Sequence, residues 1–304
     1  MERLRKVIKG DTFFDVIVYA ILLIFFIIVL YPLIYVISAS FSDADAVAAG
    51  KIVLLPVGFT IDGYKFTFQN PEIWIGYGNS LFYTVFGTIL NLVVTLPCAY
   101  ALSRSHIAGK GIIMTFFMTT MYIGGGLIPS YLNVRSLGLL DTRTFMLLHG
   151  AVSVYNLIVA RTFFANSIPV EITEAAELDG CDDFRTFIQI VMPLSKALSS
   201  VMVLYYGVAR WNSYFDAMVY LDDRNKKPLQ LFLRKILIQG NLIKDLANSD
   251  SLSPAQLEEM QELAKAAELV KYSVIVVAAV PMMILYPRLQ KYFEKGVMLG
   301  SVKG

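Results

Sequence analysis

Apolar residues are gathered into long runs along this chain rather than spread at amphipathic spacing. Runs of about 18 or more apolar residues are typical of helices that cross a bilayer. The first is too long, and too far from any small-residue cleavage site, to be a secretory signal. Six runs predict six spans, at about 13–37, 75–102, 112–132, 144–164, 194–219 and 270–289. We therefore expect an all-α polytopic membrane protein, with one transmembrane domain over residues 1–304.

Composition agrees with a membrane location. The chain has 304 residues, of which 56% are hydrophobic and 16% charged, whereas a soluble domain carries roughly a quarter charged residues. Lysine and arginine precede the first span and follow the last one, and Arg104, His106 and Lys110 fall between the second and third spans. Because short basic segments remain on the cytoplasmic side, both termini are predicted to be cytoplasmic.

The sequences between the predicted spans differ in character. An outer loop is expected at about 38–74, a polar cytoplasmic segment at about 165–193 and a second outer loop at 221–269. In that last loop Ser253 is a helix cap and Pro254 a first helical residue, so an amphipathic outer helix is predicted over about 254–268. Cys98 and Cys181 lack metal-site neighbours and are expected to be reduced thiols.

The acidic segment "EITEAAELDG", residues 171–180, stands out in so hydrophobic a chain. Pro169 suits the first turn of a helix, and Glu171 and Glu174 suit its positive N-terminal end. Gly180 is a natural helix stop, so a short cytoplasmic helix is predicted at about 169–180. Ala175 and Ala176 would let a partner approach closely. The residues alone leave open an ordinary solvated loop helix.

A longer motif includes this segment. "EAAELDG" is followed nine residues after its glycine by "IVMP", which matches the pattern EAA, three residues, G, nine residues, I-x-L-P. Met192 replaces leucine and keeps its volume and apolarity. The matching residues are Glu174, Ala175, Ala176, Gly180, Ile190 and Pro193. The chain thereby resembles the permease subunits of ATP-binding-cassette (ABC) importers that work with an extracellular solute-binding protein.

Other stretches resemble the carbohydrate-uptake (MalG-like) permeases, most closely the LplC/YtcP-type branch. They include "GGGLIPSYLNVRSLGLLDT", "RWNSYFDAMVYLDD" and the C-terminal "KYFEKGVMLGSVKG". The resemblance implies half of a saccharide pathway in a bacterial plasma membrane, with an oligosaccharide as cargo. It implies a homologous second permease subunit, two ATPase subunits and a solute-binding protein as partners, and no nucleic acid. The predicted helix would then be the coupling helix, with ATPase-coupling residues Glu171, Glu174, Ala175, Ala176, Glu177, Asp179, Gly180 and Pro193.

The chain contains no phosphate-binding loop of the type G-x-x-x-x-G-K-[ST]. "AGKG", residues 108–111, lacks both the spacing and the Ser or Thr. ATP and Mg²⁺ are therefore expected on the partner ATPase, and no cofactor, metal or catalytic residue is expected on this chain.

A solute path for sugars needs aromatic faces, amides and few fixed charges. The candidates are Trp211, Asn212, Tyr214 and Asp216 in the fifth predicted span, and the weaker ones are Asn79, Asn91, Thr119 and Tyr122. Charged side chains inside a membrane should face protein or water rather than lipid. The alternative is that Arg210, Asn212 and Asp216 hold helices together, and the residues alone leave both interpretations open.

The sequence permits two other functions. The same importer architecture carries non-sugar solutes such as peptides, amino acids or osmolytes, and the EAA pattern alone permits these. A membrane glycosyltransferase is a more distant alternative, because Asp43 and Asp45 in the first outer loop form a pair of carboxylates suited to a divalent metal. That alternative leaves the acidic helix unexplained.

Overall fold

The computed structural model describes residues 2–105, 107–247 and 254–301, and all of its regular secondary structure there is helical. A π turn covers Phe187–Val191 and a 3-10 turn covers Arg224–Lys226. The α-helices in chain order are α1 (Glu2–Ser40), α2 (Ala44–Ala48), α3 (Asp62–Gln69), α4 (Pro71–Ser103), α5 (Lys110–Tyr122), α6 (Leu127–Ser136), α7 (Arg143–Leu148), α8 (Val154–Ser167), α9 (Val170–Leu178), α10 (Asp183–Thr186), α11 (Met192–Leu194), α12 (Lys196–Trp211), α13 (Tyr214–Tyr220), α14 (Leu229–Ala247) and α15 (Pro254–Ser301).

The chain divides into two compact units. The first comprises Met1–Asn70 and Leu233–Ala278, and the second comprises Pro71–Phe232 and Ala279–Gly304. In the first unit, helix α3 crosses helix α15 at a glycine, where a Cβ on Gly63 would lie 2.9 Å from the carbonyl oxygen of Leu269. Only glycine permits this approach of two helix backbones.

The second unit is built on helix α4, which packs against α8 and α12. One hydrophobic cluster joins these three helices near the C-terminal end of α4, through Leu96, Ala99, Leu157, Phe164 and Met202. A second cluster joins the middle of α4 to α7 and α13 through Tyr83, Phe145, Ala217 and Tyr220. Helix α4 thus connects two sites of interest, one beside each cluster.

An all-α polytopic membrane protein is what the structure shows. Three helical stretches are long and apolar enough to cross a bilayer, namely Phe13–Ser40, Pro71–Ser103 and Gln256–Arg288. Pro97 and Pro281 lie inside these stretches without ending the helix. The predicted outer helix and the sixth predicted span form a single helix that begins at Pro254, while Ser253 and His106 lie outside the described residues.

Three of the six predicted ranges are interrupted. In 112–132 the chain turns by 115° between α5 and α6, at a stretch containing Gly124, Gly125 and Gly126. The range 144–164 is divided into α7 and α8 by residues 149–153, and the range 194–219 is divided at 212–213. A further bend of 86° at Ser195 separates the segment Asp183–Leu194 from α12. By length and composition the described residues provide three spans, or up to five if each bent pair counts as one.

Candidate functional site

The acidic segment folds as helix α9, within the range predicted for it. Pro169 precedes the helix, and Gly180 follows it with φ +80°. The N–H of Gly180 donates to the carbonyl of Glu177 (3.0 Å), and the N–H of Cys181 donates to that of Ala176 (2.9 Å). This pair of bonds is the Schellman termination, which requires a left-handed residue at the glycine position.

Helix α9 turns one face inward and exposes the other. Thr173 and Ala176 are buried, whereas Glu171, Glu174, Ala175, Glu177, Asp179 and Gly180 are exposed. Leu178 is 89% exposed and Phe184, on the following helix α10, is 70% exposed. Two large apolar side chains and several carboxylates are therefore exposed on these two short helices, which is a composition suited to docking a partner.

Ala176, one of the predicted coupling residues, does not lie on the exposed face of α9. Ala176 is only 3% exposed, so it packs inside the chain and is closed to a partner. Ala175 is exposed and keeps the small profile that close approach requires. Both residues match the motif, but only one of them contributes to the open surface.

A cavity of about 220 Å³ lies beside helix α9 in the second unit. Its wall combines carboxylates of the short helices with an arginine from the end of α4, and the residues that matter here are Arg104, Glu174, Glu177, Asp183 and Thr186. The Thr186 hydroxyl is buried and has no hydrogen-bond partner among the described residues. The cavity is thus polar and of mixed charge.

Pro193 lies on the exposed side of α11, directly after the π turn. A proline cannot donate the regular helical bond, in this case to the carbonyl of Gln189. The π turn Phe187–Val191 lies at the same place and buries Phe187 and Val191. Such turns are frequent at functional positions. Pro193 therefore marks the irregular connection between the acidic helix and α12.

A polar network surrounds the interruption between α7 and α8. The Arg210 guanidinium donates from Nε to Oδ1 of Asn91 (2.9 Å), and its other nitrogens donate to the carbonyls of Met146 (2.7 Å), Leu147 (2.9 Å) and His149 (2.8 Å). Asn91 donates from Nδ2 to the carbonyls of Gly150 and Ala151, each at 2.7 Å.

A second contact supports the same interruption. The Tyr206 hydroxyl pairs with Thr95 (2.7 Å) and accepts from the N–H of Ser153 (3.2 Å). Backbone groups that a break in a helix leaves without helical partners are therefore satisfied by side chains of α4 and α12.

A second polar cluster ties α4 to residues 223–227. Asn79 donates to the carbonyls of Asn225 (2.7 Å) and Lys227 (3.1 Å) and accepts from Arg143 (3.1 Å). Asn79 is thus a buried structural residue in this conformation rather than an open solute contact.

Asp141 connects two loops of this same region. Its carboxylate accepts from the N–H groups of Asp222 and Asp223 (both 3.1 Å) and from the Lys226 ammonium (2.8 Å). The bond from Lys226, followed by those from the two N–H groups, lowers the pKa of Asp141. The same carboxylate raises the pKa of Lys226. Both shifts favour the charged pair.

The remaining predicted solute-path residues lie in different environments. Trp211 is 2% exposed and packs edge-on against Tyr77, with ring centroids 5.8 Å apart. Asn212 is exposed and donates to the carbonyl of Val208 (2.9 Å), and Tyr214 is exposed as well. Tyr122 is 86% exposed at the end of α5. The structure thus favours a packing role for Trp211 and leaves Asn212 and Tyr214 accessible.

Asp216 has a neighbour that the sequence analysis did not single out. Its carboxylate lies 3.5 Å from Nε2 of His149, and the two side chains are 34% and 43% exposed. The His149 ring stacks on Phe145, with centroids 4.9 Å apart. His149 is an ionisable residue within a predicted span, which by itself is a reason to consider it functional. The pairing with Asp216 depends on the interruption at 149–153.

The carboxylates considered for a metal serve other purposes. Asp43 caps helix α2 by accepting from the N–H of Asp45 (3.2 Å), and Asp45 pairs with the Lys265 ammonium at 2.6 Å. In the described ranges no group of three His, Cys, Asp or Glu side chains is suited to a metal ion.

Known transport proteins are similar to this chain over most of its length. The chain is 39% identical to the polygalacturonan/rhamnogalacturonan transport system permease protein YtcP of Bacillus subtilis (strain 168), over 96% of this chain and 98% of that protein. It is 38% identical to the protein LplC of the same organism, over 91% of this chain and 90% of that protein. No protein-family model matches the chain.

A chain of a solved structure is also similar to this chain. That structure is the crystal structure of a bacterial ABC transporter involved in the import of the acidic polysaccharide alginate, and one of its chains matches with a TM-score of 0.82 and 34% identity, over 93% of this chain and 98% of that chain. The chain therefore belongs to the permease subunits of ABC importers, which are transporter components and not enzymes. Within that family it falls in the branch of YtcP and LplC, as its motifs indicate.

Proposed function

We propose that the chain forms half of the translocation path for an oligosaccharide in a binding-protein-dependent ABC importer. The observation that carries the proposal is the similarity, over nearly the whole chain, to YtcP and to a chain of the alginate importer. Both are named for polysaccharides that contain acidic sugars, so uronate oligosaccharides are the first cargo to test.

The proposed coupling residues are those on the open face of α9 and α10. Glu171, Glu174 and Glu177 offer carboxylates, and Ala175 offers a flat position between them. Leu178 and Phe184 add apolar area that a soluble ATPase would bury. Since the sequence contains no phosphate loop, ATP and Mg²⁺ belong to that ATPase in this proposal.

A second permease subunit is the next proposed partner. In the helical stretch Phe13–Ser40, no residue of the most apolar segment is buried by the described part of the chain. Lipid and a homologous subunit would cover this helix, and the solute-binding protein would dock on the opposite side from α9. In this proposal α9 faces the cytoplasm, and six crossings at the predicted ranges would place both termini on the cytoplasmic side as well.

Asp216, His149, Asn212 and Tyr214 are the proposed solute contacts. Carboxylate, imidazole and amide groups bind sugar hydroxyls. A charged side chain within a predicted membrane span should face water or protein rather than lipid. Arg210 has a different role in this proposal, because its donors are used by carbonyl groups of the same chain.

The test is uptake by the assembled transporter in proteoliposomes, with its binding protein and labelled trigalacturonate. An unlabelled neutral trisaccharide of equal length serves as competitor. The Glu174→Lys and Gly180→Pro variants should abolish uptake and loosen the ATPase while the subunit still inserts. Proline fixes φ near −65° and has no N–H, so it conflicts with both the +80° of Gly180 and its bond to Glu177. Normal transport and normal ATPase retention in both variants would overturn the coupling role.

A further inference from the structure

Two arginines on neighbouring helices each bind the backbone of the other helix. Arg104, directly after α4, donates from Nη2 to the carbonyl of Phe164 at 3.0 Å. Arg161, on α8, donates from Nε to the carbonyl of Leu102 at 3.1 Å. We call this reciprocal arrangement of Arg104, Arg161, Leu102 and Phe164 the arginine clasp.

The clasp acts on the last turns of both helices. Helix α4 ends at Ser103 and α8 ends at Ser167, so the carbonyls of Leu102 and Phe164 belong to the groups that lack a partner within their own helix. The two helices run in the same direction, which brings two partially negative C-terminal ends side by side. A guanidinium at each end satisfies a carbonyl and offsets this repulsion.

The clasp is held by packing as well as by hydrogen bonds. Arg104 is mostly buried, and its guanidinium lies 4.7 Å from the centre of the Tyr100 ring. Tyr100 in turn packs edge-on against Phe164, with centroids 5.8 Å apart. The arginine, the aromatic pair and the carbonyl therefore form one connected contact between α4 and α8.

The acidic helix is attached directly to this contact. Only Ile168 and Pro169 separate α8 from α9, and Ile168 is buried in the same hydrophobic cluster as Phe164. Arg104 also lines the cavity of about 220 Å³ beside α9, together with Glu174 and Glu177. A displacement of α9 can thus reach α4 through the clasp and through the hydrophobic cluster that surrounds it.

We propose that Arg104 and Arg161 are positioning residues that join the ends of α4 and α8 into one block, so that movement of α9 is passed to the helices of the solute path. This inference rests on the proposed coupling role of α9. Without the clasp, apolar packing alone would join the ends of α4 and α8, less of the movement of α9 would be passed to α4, and less solute would be imported for each ATP hydrolysed.

The experiment compares Arg161→Met, Arg161→Lys and Arg135→Met in the transporter reconstituted with its binding protein. Arg161 is the cleaner target because Arg104 also lines the cavity. Arg135 is a matched control, since it is an exposed arginine in the last turn of its own helix α6. The measured quantity is labelled trigalacturonate imported per ATP hydrolysed, together with the amount of assembled complex recovered.

Arg161→Met is expected to lower import per ATP by about fivefold or more, the size of a typical coupling between sites. Arg161→Lys should restore part of it, because an ammonium still donates to a carbonyl, and Arg135→Met should match the unmodified protein. A merely structural role would reduce import and ATP hydrolysis in proportion to the amount of complex, with import per ATP unchanged. That result would overturn the proposed coupling role of the clasp.

The Gly180→Pro variant separates the two ideas. If Gly180→Pro abolishes coupled import and Arg161→Met leaves import per ATP unchanged, the clasp fails and the coupling role of α9 stands. If Gly180→Pro also leaves import and ATPase retention unchanged, the coupling role fails and the clasp fails with it.

Discussion

The Nε of Arg210 donates a hydrogen bond of 2.9 Å to Oδ1 of Asn91, and this pair organises the broken helix beside it. Between them the two side chains bind the carbonyl groups of Met146, Leu147, His149, Gly150 and Ala151. In the interior of a membrane, no water is present to donate a hydrogen bond to an unpaired carbonyl. The pair is therefore the reason that residues 149–153 can leave the helical conformation.

Replacement of Arg210 by methionine should destabilise the second unit strongly. The change removes the donor from three carbonyl groups and from Oδ1 of Asn91. The bond to His149 is exposed and the other three are partly buried, and each unsatisfied buried group costs about 1–3 kcal/mol. We expect a loss of about 3 kcal/mol or more, measured as a lower unfolding temperature in detergent. Arg135→Met is the control, and an equal unfolding temperature for both variants would contradict this account.

Gly87 and Gly78 provide a sharper comparison on the same helix. A Cβ added at Gly87 would lie 2.8 Å from Nε of Arg210, whereas a Cβ at Gly78 would meet nothing within 4 Å. Gly87→Ala should therefore displace Arg210 and lower the unfolding temperature. Gly78→Ala should be neutral or stabilising by up to about 1 kcal/mol, because alanine is the better helix former. The order of the two variants is the measured outcome, and a reversed order would show that the Arg210 position is not critical.

Hydropathy predicted the helices of the spans but not their interruptions. Runs such as 13–37 and 75–102 are continuous because their apolar residues need no particular neighbour. The interruption at 149–153 depends on Asn91 and Arg210, which lie far away in sequence and bond to it only in the folded chain. A hydropathy window averages across such a break. The glycines at 124–126 are a local sequence signal for one interruption, the bend between α5 and α6.

The acidic helix was predictable for the opposite reason. Its signals are local, since Pro169 precedes it and Gly180 ends it. The orientation of its alanines and the burial of Trp211 against Tyr77 depend on tertiary packing, so they were not predictable. The proximity of His149 to Asp216 likewise depends on the broken helix.

The Asp141–Lys226 pair predicts a dependence of stability on pH. The pKa of Asp141 is lowered by folding, so its contribution is present above the unfolded value of about 3.9 and is lost as the pH falls below it. The pKa of Lys226 is raised, so its contribution is present below about 10.4 and is lost at higher pH. The unfolding temperature of Asp141→Asn should lie below that of the unmodified protein between about pH 5 and 9.

This difference should shrink as the pH falls below about 4, because the unfolded chain then binds a proton that the folded carboxylate, with its lowered pKa, binds only at a lower pH. Asparagine tolerates the φ of +52° at this position, so backbone strain does not enter the comparison. Asp222→Asn, in the loop bound by Asp141, is the matched control and should show a smaller difference. A difference that stays constant down to pH 3 would contradict the assignment.

The left-handed conformation of Gly180 predicts that substitutions there are ranked by backbone preference and not by size. An added Cβ meets nothing within 4 Å, so space is available, but φ is +80°. Gly180→Asn should retain most transport, because asparagine enters this region readily, whereas Gly180→Val should lose most of it. The measurement is uptake per assembled complex. Equal uptake by both variants would show that the end of α9 does not have to be held.

The solute path is tested by comparing Asp216→Asn and His149→Gln with Trp211→Phe. If the His149–Asp216 pair contacts the oligosaccharide, the first two variants should reduce uptake at saturating binding protein by about tenfold, the value of a hydrogen bond to a charged group. The amount of assembled complex should not change, since both side chains are partly exposed. Trp211 is buried, so Trp211→Phe should lower the amount of complex recovered while uptake per complex is retained. Unchanged uptake in both Asp216→Asn and His149→Gln would place the solute path elsewhere, and reduced uptake per complex in Trp211→Phe alone would return Trp211 to the path.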